Sequence, residues 1–366
     1  MGLLKSPEAP IFPFLRLFLA RMGVALDGLV APAPAIDWGA VVPLLREYRL
    51  RPLAHWLVRE CELAIDPTSR EELESSFLSA ALRYERLRCA LRQIADVFAA
   101  QQIPAIVLKG PAAAESLYPE PACRPMEDLD LLVRADRQAK AAGTLVELGY
   151  SDVTFGPEDF RDPAIGITVD LHIELLNSTR LPVRRKAWQA DLEAYWRRAS
   201  PLCRENSELL TLHPFDQFSY LCHHFWLHHG LRSPRNLLDI CLAWKACCGG
   251  ARLPEDISTH PSNPPAGQPA PESAICHPPF AIPTESRGPW YALGACRSRL
   301  GLALPKELLL GCRPAKVGKI EGLLHRAGCR GFLPEAARYG YLWMALHGWD
   351  RLEMCRQLLK AARQVC

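Results

Sequence analysis

Apolar residues recur at intervals of three and four through much of the first hundred positions, which is the pattern of amphipathic helices. The clearest segment begins at residue 66, where Asp66 or Ser69 can cap a helix N-terminus. Its apolar positions are Leu73, Phe77, Ala80 or Ala81, Tyr84, Leu87, Leu91, Ile94 and Phe98. We predict an N-terminal helical region at residues 1–101 that ends in one long amphipathic helix.

From residue 104 onward, short apolar runs bounded by glycine or proline replace the helical period. The run "PAIVLKG" predicts a strand that stops at Gly110, and "PAAAESLY", with proline in its first turn, predicts a helix. Further along, "LDLLV" and "YSDVTF" predict strands, and "DRQAKAAGTLVELG" predicts a helix that ends at Gly149. Strict alternation of apolar and polar residues makes "GITVDLHIEL" the most regular strand of the chain.

Helical periodicity returns after about residue 182. It predicts a helical region at 201–250 that contains a histidine-rich helix, and a C-terminal helical region at 290–366. Ten prolines fall within residues 251–289, so we predict a linker there rather than a helix. The remaining segment, residues 102–200, is the predicted α/β core.

The composition of the chain argues against some classes of binding partner and of cellular location. The chain has 43 basic and 40 acidic residues and a formal net charge of +3, which provides no extended positive surface, so a long nucleic acid is not an expected partner.

No stretch approaches the roughly 20 consecutive apolar residues of a membrane span. The N-terminal run "IFPFLRLFLA" is interrupted by Pro13 and Arg16, which argues against a targeting segment. The fourteen cysteines include no C-x-x-C spacing, and we interpret them as reduced thiols of a cytoplasmic protein.

Candidate chemistry centres on carboxylates inside predicted strands. Asp128 and Asp130 are one residue apart, so they project from the same side of their strand while the apolar residues between them face the core. Asp170 lies on the polar face of the later strand and is the candidate third carboxylate. Hard oxygen ligands of this kind suit Mg²⁺, and two aspartates on one strand can share a pair of ions.

The same acidic and basic residues could also be ordinary surface charges with no role in metal or phosphate binding. An acidic pair at a strand edge is often a solvated surface, and Lys109 and Arg124 taken singly are more often surface charges than ligands. The positions of these residues favour the interpretation as ligands. Lys109 and Gly110 end a strand where a helix begins, and Arg124 comes four residues before Asp128. A helix N-terminus and a lysine can both contact phosphate oxygens.

These residues resemble the nucleotidyltransferase superfamily typified by DNA polymerase beta, and more closely its branch of uncharacterised bacterial nucleotidyltransferase-family proteins. The resemblance spans roughly residues 75–245. The matching residues are Leu108-Lys109-Gly110, Tyr118, Arg124, Asp128-Leu129-Asp130-Leu131-Leu132-Val133 and Asp170-Leu171-His172. It implies an α+β fold in which a small mixed β-sheet is flanked by N-terminal and C-terminal helical lobes.

The resemblance also implies an activity, which is Mg²⁺-dependent transfer of a nucleoside monophosphate from an NTP, with ATP expected first, to an unidentified acceptor. Asp128, Asp130 and Asp170 would then bind the two metal ions, and Asp170 would help to deprotonate the acceptor hydroxyl. The implied nucleotide-binding residues are Lys109, Gly110, Arg124 and His172.

Two departures from the superfamily pattern indicate that the phosphate-binding turn differs from the usual one. The first turn reads Lys109-Gly110-Pro111 and lacks the usual serine, and the interval from Gly110 to Asp128 is longer than in compact members. An alternative function is that of a catalytically silent scaffold of the same fold that binds a nucleotide or a partner protein, but the presence of all three carboxylates disfavours it.

The segment "CHHFWLHHG" places four histidines within seven residues, and His224 and His228 at i and i+4 share a helical face. This spacing can bind zinc, but the zinc-protease pattern needs a glutamate where Phe225 stands. Packing, metal binding and contact with nucleotide or acceptor all remain open for His223, His224, His228 and His229, and a zinc hydrolase is the most distant hypothesis.

Overall fold

Two compact units make up the fold of the computed structural model. The sheet unit comprises Arg49–Thr179 and Ala190–Gln217, and the helical unit comprises Met1–Tyr48, Arg180–Gln189 and Phe218–Cys366. The structure describes residues 9–27, 36–152, 159–177, 183–203, 206–231, 233–248, 287–314, 317 and 353–355. Most of the predicted linker, residues 254–286 included, and much of the predicted C-terminal helical region lie outside the described residues.

The N-terminal hundred residues are helical where the structure describes them, as the apolar period predicts. The helices are α1 (Phe12–Arg21), α2 (Trp38–Glu47), α3 (Arg51–Glu60) and α4 (Pro67–Ala100). Asp66 is the cap of α4, because its carboxylate accepts a hydrogen bond from the Ser69 amide at 2.8 Å. The buried face of α4 includes the predicted apolar positions Leu73, Phe77, Tyr84, Leu87, Leu91, Ile94 and Phe98.

The described residues of the sheet unit form a mixed sheet of seven strands, in the order β3-β4-β5-β2-β1-β7-β6, so the protein is α+β as predicted. The strands are β1 (Ala105–Val107), β2 (Asp128–Val133), β3 (Ser151–Asp152), β4 (Asp159–Arg161), β5 (Thr168–His172), β6 (Ser200–Cys203) and β7 (Asn206–Thr211). Strands β2 and β5 pair in parallel, as do β1 and β7, and the other pairs are antiparallel. The helices of this unit after α4 are α5 (Pro111–Leu117), α6 (Gln138–Glu147) and α8 (Leu192–Arg198).

The hairpin of β6 and β7 corrects the prediction that helices continue from residue 182. It occupies the start of the segment 201–250 that was predicted to be helical. Pro201 is compatible with β6 because β6 is an edge strand. Leu209 is buried beside β1, with which β7 pairs. Two adjacent leucines among polar residues carry no alternating pattern, so these strands have no local signal in the sequence.

The two faces of the sheet differ in character. One face packs on α4 and α6 through a buried apolar cluster that includes Leu129, Leu131 and Val133 of β2 and Val169 and Leu171 of β5. This arrangement confirms the prediction that the apolar residues between the acidic positions face the core. The alternation of the strands therefore directs the acidic residues to the opposite face.

The helical unit contains α1, α2 and the later helices of the chain. These are α7 (Arg184–Ala187), α9 (Pro214–Leu227), whose first four residues belong to the sheet unit, α10 (Pro234–Cys248), α11 (Arg287–Leu300) and α12 (Lys306–Cys312). Along the part of the chain that the structure describes, no helix is both long enough and apolar enough to cross a membrane.

His223 is a buried histidine of the helical unit. Its ring stacks on Trp188 with centroids 4.1 Å apart, and its Nδ1 donates a hydrogen bond to the Ser219 carbonyl at 2.8 Å. Burial lowers the pKa of His223 to about 4 from its ordinary value of 6.5. The unfolded chain therefore binds this proton at a higher pH than the folded chain, so the free energy of unfolding falls as the pH drops between those two values.

Acidification from about pH 7.5 to about pH 5 should therefore remove about 2 kcal/mol from the free energy of unfolding through His223 alone. His223→Phe keeps a ring against Trp188 but binds no proton, so its unfolding free energy should depend less on pH by that amount. Denaturant unfolding followed by tryptophan fluorescence measures both proteins at both pH values. Equal losses of stability in the two proteins would contradict the assignment.

Candidate active site

Two neighbouring parallel strands bring the predicted acidic residues together. In the pairing of β2 with β5, Asp130 lies opposite Asp170 and Asp128 lies opposite Thr168. Residues in register across paired strands share a face of the sheet, and so do residues two apart along one strand. Asp128, Asp130, Asp170 and His172 therefore occupy the face opposite the apolar core.

Asp130 is the centre of this group and is only 1% exposed. Its Oδ1 accepts a hydrogen bond from His172 Nε2 at 2.9 Å and lies 3.0 Å from Lys109 Nζ. Its Oδ2 is buried and has no hydrogen-bond partner among the described residues. Burying a carboxylate oxygen without a partner is costly, so Oδ2 marks a position where a cation or ligand would be stabilising.

The donor set fits a divalent cation. Asp130, Asp170 and His172 offer ligand atoms that all lie within 4.8 Å of one another, and Asp128 adds a further carboxylate on the same face. Carboxylate oxygens are the ligands that Mg²⁺ prefers. Since His172 already donates to Oδ1 of Asp130, it fits the role of orienting that carboxylate while Oδ2 binds the ion.

Burial, repulsion between the carboxylates and nearby positive charge shift the pKa values of the acidic residues in different directions. Burial raises the pKa of Asp170 to about 7, and the negative charge of Asp130 contributes to the rise. Burial and the charge of Asp130 also raise the pKa of Asp128. Burial acts in the same direction on Asp130, but Lys109 and His172 outweigh it and hold the pKa of Asp130 well below its ordinary value. A bound cation would favour the ionised form of all three carboxyls.

Asp159 is a fourth carboxylate that the sequence did not reveal. It lies in β4 directly opposite Asp170 of the antiparallel neighbour β5, is 6% exposed, and its charge contributes to raising the pKa of Asp170. The alternation of Asp159, Phe160 and Arg161 is three residues long and follows a Gly-Pro pair. Such a short pattern is not enough to predict a strand, and only the pairing of β4 with β5 brings Asp159 to the site.

The turn between β1 and α5 requires glycine at position 110. Gly110 has φ +57° and ψ −115°, a conformation that side chains bearing a Cβ rarely adopt. Lys109, just before it, directs its ammonium group to Asp130. The structure therefore gives Lys109 a carboxylate partner, and contact of Lys109 or Gly110 with phosphate stays a prediction.

Arg124 lies near the same group. It is 6% exposed, and its positive charge, after that of Lys109, opposes the rise in the pKa of Asp128. The predicted contact of Arg124 with phosphate is not tested by this placement. A buried arginine beside a carboxylate pair does, however, differ from the ordinary surface charge that was the other interpretation.

The histidine-rich segment separates into two environments within the helical unit. His223 is packed against Trp188, as described above. His224, His228 and His229 instead face one another, with ligand nitrogens within 4.8 Å. The shared face predicted for His224 and His228 is present, since their rings stack with centroids 4.8 Å apart.

Comparison with known proteins identifies the family. The sequence profile of a family described as uncharacterised nucleotidyltransferases matches residues 34–249, which is more than half of the chain. Neither the curated proteins nor the solved structures provide a match. The matched range contains every acidic residue of the site described above. The chain thus belongs to this family of nucleotidyltransferases.

Proposed function

We propose that the protein is a Mg²⁺-dependent nucleotidyltransferase that transfers a nucleoside monophosphate from an NTP to a hydroxyl group of a small-molecule or protein acceptor and releases pyrophosphate. One observation carries the proposal. Asp130 and Asp170 lie in register on adjacent parallel strands, and one oxygen of Asp130 is buried without a hydrogen-bond donor among the described residues. That oxygen is suited to ligate a cation, and membership of the family supports the same activity.

The carboxylates divide the work in this proposal. Asp128, Asp130 and Asp170 would hold a pair of Mg²⁺ ions, which when bound supply Lewis-acid stabilisation of the charge that builds on the pyrophosphate. His172 fixes Oδ1 of Asp130 and thereby presents Oδ2. Asp170, in register with Asp130 on the adjacent strand, is the carboxylate that we propose helps to take the proton of the acceptor hydroxyl.

The basic residues would handle the triphosphate. Lys109 binds an anionic oxygen of Asp130, and a phosphate oxygen of the nucleotide is a chemically similar partner at which the same ammonium group can bind. Arg124 is close enough to the site for its charge to act on Asp128. ATP is the NTP that we expect first. The near-neutral charge of the chain favours a small molecule or a protein side chain over a long nucleic acid as acceptor.

Incubation of the protein with Mg²⁺, each α-labelled NTP in turn and a cell extract tests the proposal. We expect label to move from one NTP to a component of the extract, with release of pyrophosphate, and to stay on the nucleotide when a chelator removes the metal. Nucleotide binding without transfer across broad acceptor screens would contradict turnover and indicate a binding scaffold. Transfer that persists in both Asp128→Asn and Asp130→Asn would exclude the mechanism assigned here.

A further inference from the structure

A second group of metal-ligating side chains lies in the helical unit, apart in sequence from the acidic residues. His224, His228 and His229, hereafter the three-histidine cluster, offer ring nitrogens that all lie within 4.8 Å of one another. The ring of His224 is 4.8 Å from that of His228 and 4.7 Å from that of His229, centroid to centroid, and the rings of His228 and His229 are 4.9 Å apart. Each imidazole is thus in contact with both of the others.

The end of α9 explains how neighbouring residues converge in this way. His224 and His228 are four residues apart and so share a helical face. The amides of His228 and His229 both donate to the His224 carbonyl, at 2.9 and 3.3 Å, so the last turn winds back over His224. The chain then reverses through Gly230 and Leu231, which have φ of +58° and +63°.

The reversal is held in place by the interior of the helical unit. Leu231 is fully buried, and its amide donates to the Phe225 carbonyl at 3.1 Å. A positive φ at a leucine is strained and persists only where the surroundings impose it. The backbone that carries His229 to His224 is therefore preorganised, which lowers the entropic cost of assembling a ligand set.

His223, which directly precedes His224 in the sequence, is a packed histidine with which the cluster can be compared. It is 3% exposed, stacks on Trp188 and donates to a backbone carbonyl. The three-histidine cluster differs in two respects. Its rings face one another, and His228 and His229 are partly exposed, which leaves a route for an ion to enter. Protonation of more than one of these rings would be opposed by repulsion between like charges.

We propose that the three-histidine cluster binds one divalent transition-metal ion of the zinc type through three imidazole nitrogens, with a fourth, exchangeable ligand. Zinc–nitrogen distances are about 2.0–2.1 Å, which places two nitrogens of a tetrahedral site about 3.4 Å apart. Rotation of the rings about their side-chain bonds would bring nitrogens that lie within 4.8 Å to that spacing. Imidazole favours zinc, nickel and copper over Mg²⁺, whereas the carboxylates around Asp130 favour the hard ion.

This site is independent of the proposed transfer reaction, and its effect would be on the helical unit. A metal bound at the cluster joins the last turn of α9 to the reversal that precedes α10. Because the folded chain presents the three nitrogens together and the unfolded chain does not, zinc should stabilise the fold by mass action.

Calorimetric titration of the metal-stripped full-length protein with Zn²⁺, in buffer that contains millimolar Mg²⁺ to occupy the carboxylates, tests the proposal. We expect one zinc ion per chain and a higher midpoint of thermal unfolding after its addition. His228→Gln and His229→Gln should each weaken zinc binding by about 100-fold or more. His55→Gln is the matched control, since His55 is a partly buried histidine whose ring packs at a tilt against Phe77 in the sheet unit. This variant should bind zinc as the wild-type protein does.

Two further measurements keep the outcome clear even if a variant folds poorly. Asp130→Asn should bind zinc with wild-type affinity, and loss of zinc in Asp130→Asn together with retention in His228→Gln would assign the ion to the carboxylates and overturn the proposal. X-ray absorption at the zinc edge of the wild-type protein should show scattering from about three imidazole rings. A shell dominated by carboxylate oxygen, or no zinc bound at all, would equally exclude the three-histidine cluster.

Discussion

Asp130→Asn should lower the rate of nucleotidyl transfer by about a hundredfold to a thousandfold, which is the scale at which loss of a preorganised charge-stabilising group acts. The substituted amide can still accept the hydrogen bond of His172 through its oxygen. The amide nitrogen replaces the buried Oδ2, however, and an amide NH₂ is a donor that cannot ligate a cation. The substitution therefore keeps the shape of the site but removes Oδ2, the oxygen of Asp130 that we propose as a metal ligand.

Glu127→Gln is the matched control for this change. Glu127 precedes β2, its side chain is 65% exposed, and it pairs with Arg49 at 2.7 Å on the surface. Neutralising an exposed acid of this kind has little effect on stability, so we expect transfer at nearly the wild-type rate. Both variants are compared by the same labelled-NTP assay, with circular dichroism to check folding. Comparable rates for Asp130→Asn and Glu127→Gln would refute the central role of Asp130.

Gly110→Ala should destabilise the sheet unit by about 1–3 kcal/mol and reduce transfer, because the turn after β1 needs a backbone conformation that alanine resists. The cause is strain rather than collision. An added Cβ would lie 3.4 Å from the Asp128 carbonyl oxygen and 3.8 Å from the sulfur of Met126, which are ordinary contacts. Relief of the strain would move Lys109, which precedes the turn and contacts Asp130, so the site should be disturbed as well.

The same glycine-to-alanine substitution at position 143 should have the opposite effect on stability. Gly143 lies inside α6, and an added Cβ there meets nothing within 4 Å. Alanine in a helix interior is favoured over glycine by about 1 kcal/mol, so this variant should be slightly more stable than wild type and fully active. Chemical unfolding of the two variants measures the contrast. A neutral Gly110→Ala would show that the positive φ is not required for this turn.

The sequence predicted which face of the sheet the acidic residues occupy, because side chains alternate between the two faces along a strand. Asp128 and Asp130 could be assigned to one face because side chains alternate along a strand, and Asp170 could be assigned to the polar face of its own strand for the same reason. Proximity of Asp130 to Asp170 required the parallel register of β2 and β5, which depends on contacts forty residues apart and has no local signal. The expectation that Asp170 is the third carboxylate came from its place on the polar face of a later strand, and the resemblance to the nucleotidyltransferases agreed with it.

Other features depended on tertiary structure that no local pattern encodes. Asp159 reaches the site through the pairing of a three-residue strand. Lys109 was expected at phosphate oxygens, and its partner in the fold is Asp130, because a buried carboxylate attracts the nearest cation. Strand β7 is placed beside β1 by burial of Leu209, although its sequence lacks the alternation of a recognisable strand.

Electron paramagnetic resonance of Mn²⁺ bound in the presence of an NTP tests the central claim most directly, because Mn²⁺ substitutes for Mg²⁺ at oxygen ligands. We expect the wild-type protein and Glu127→Gln to bind Mn²⁺ with coupling to phosphorus nuclei of the nucleotide. We expect Asp130→Asn to bind the ion about 100-fold more weakly or not at all. Mn²⁺ bound with equal affinity and the same phosphorus coupling in Asp130→Asn would contradict the account.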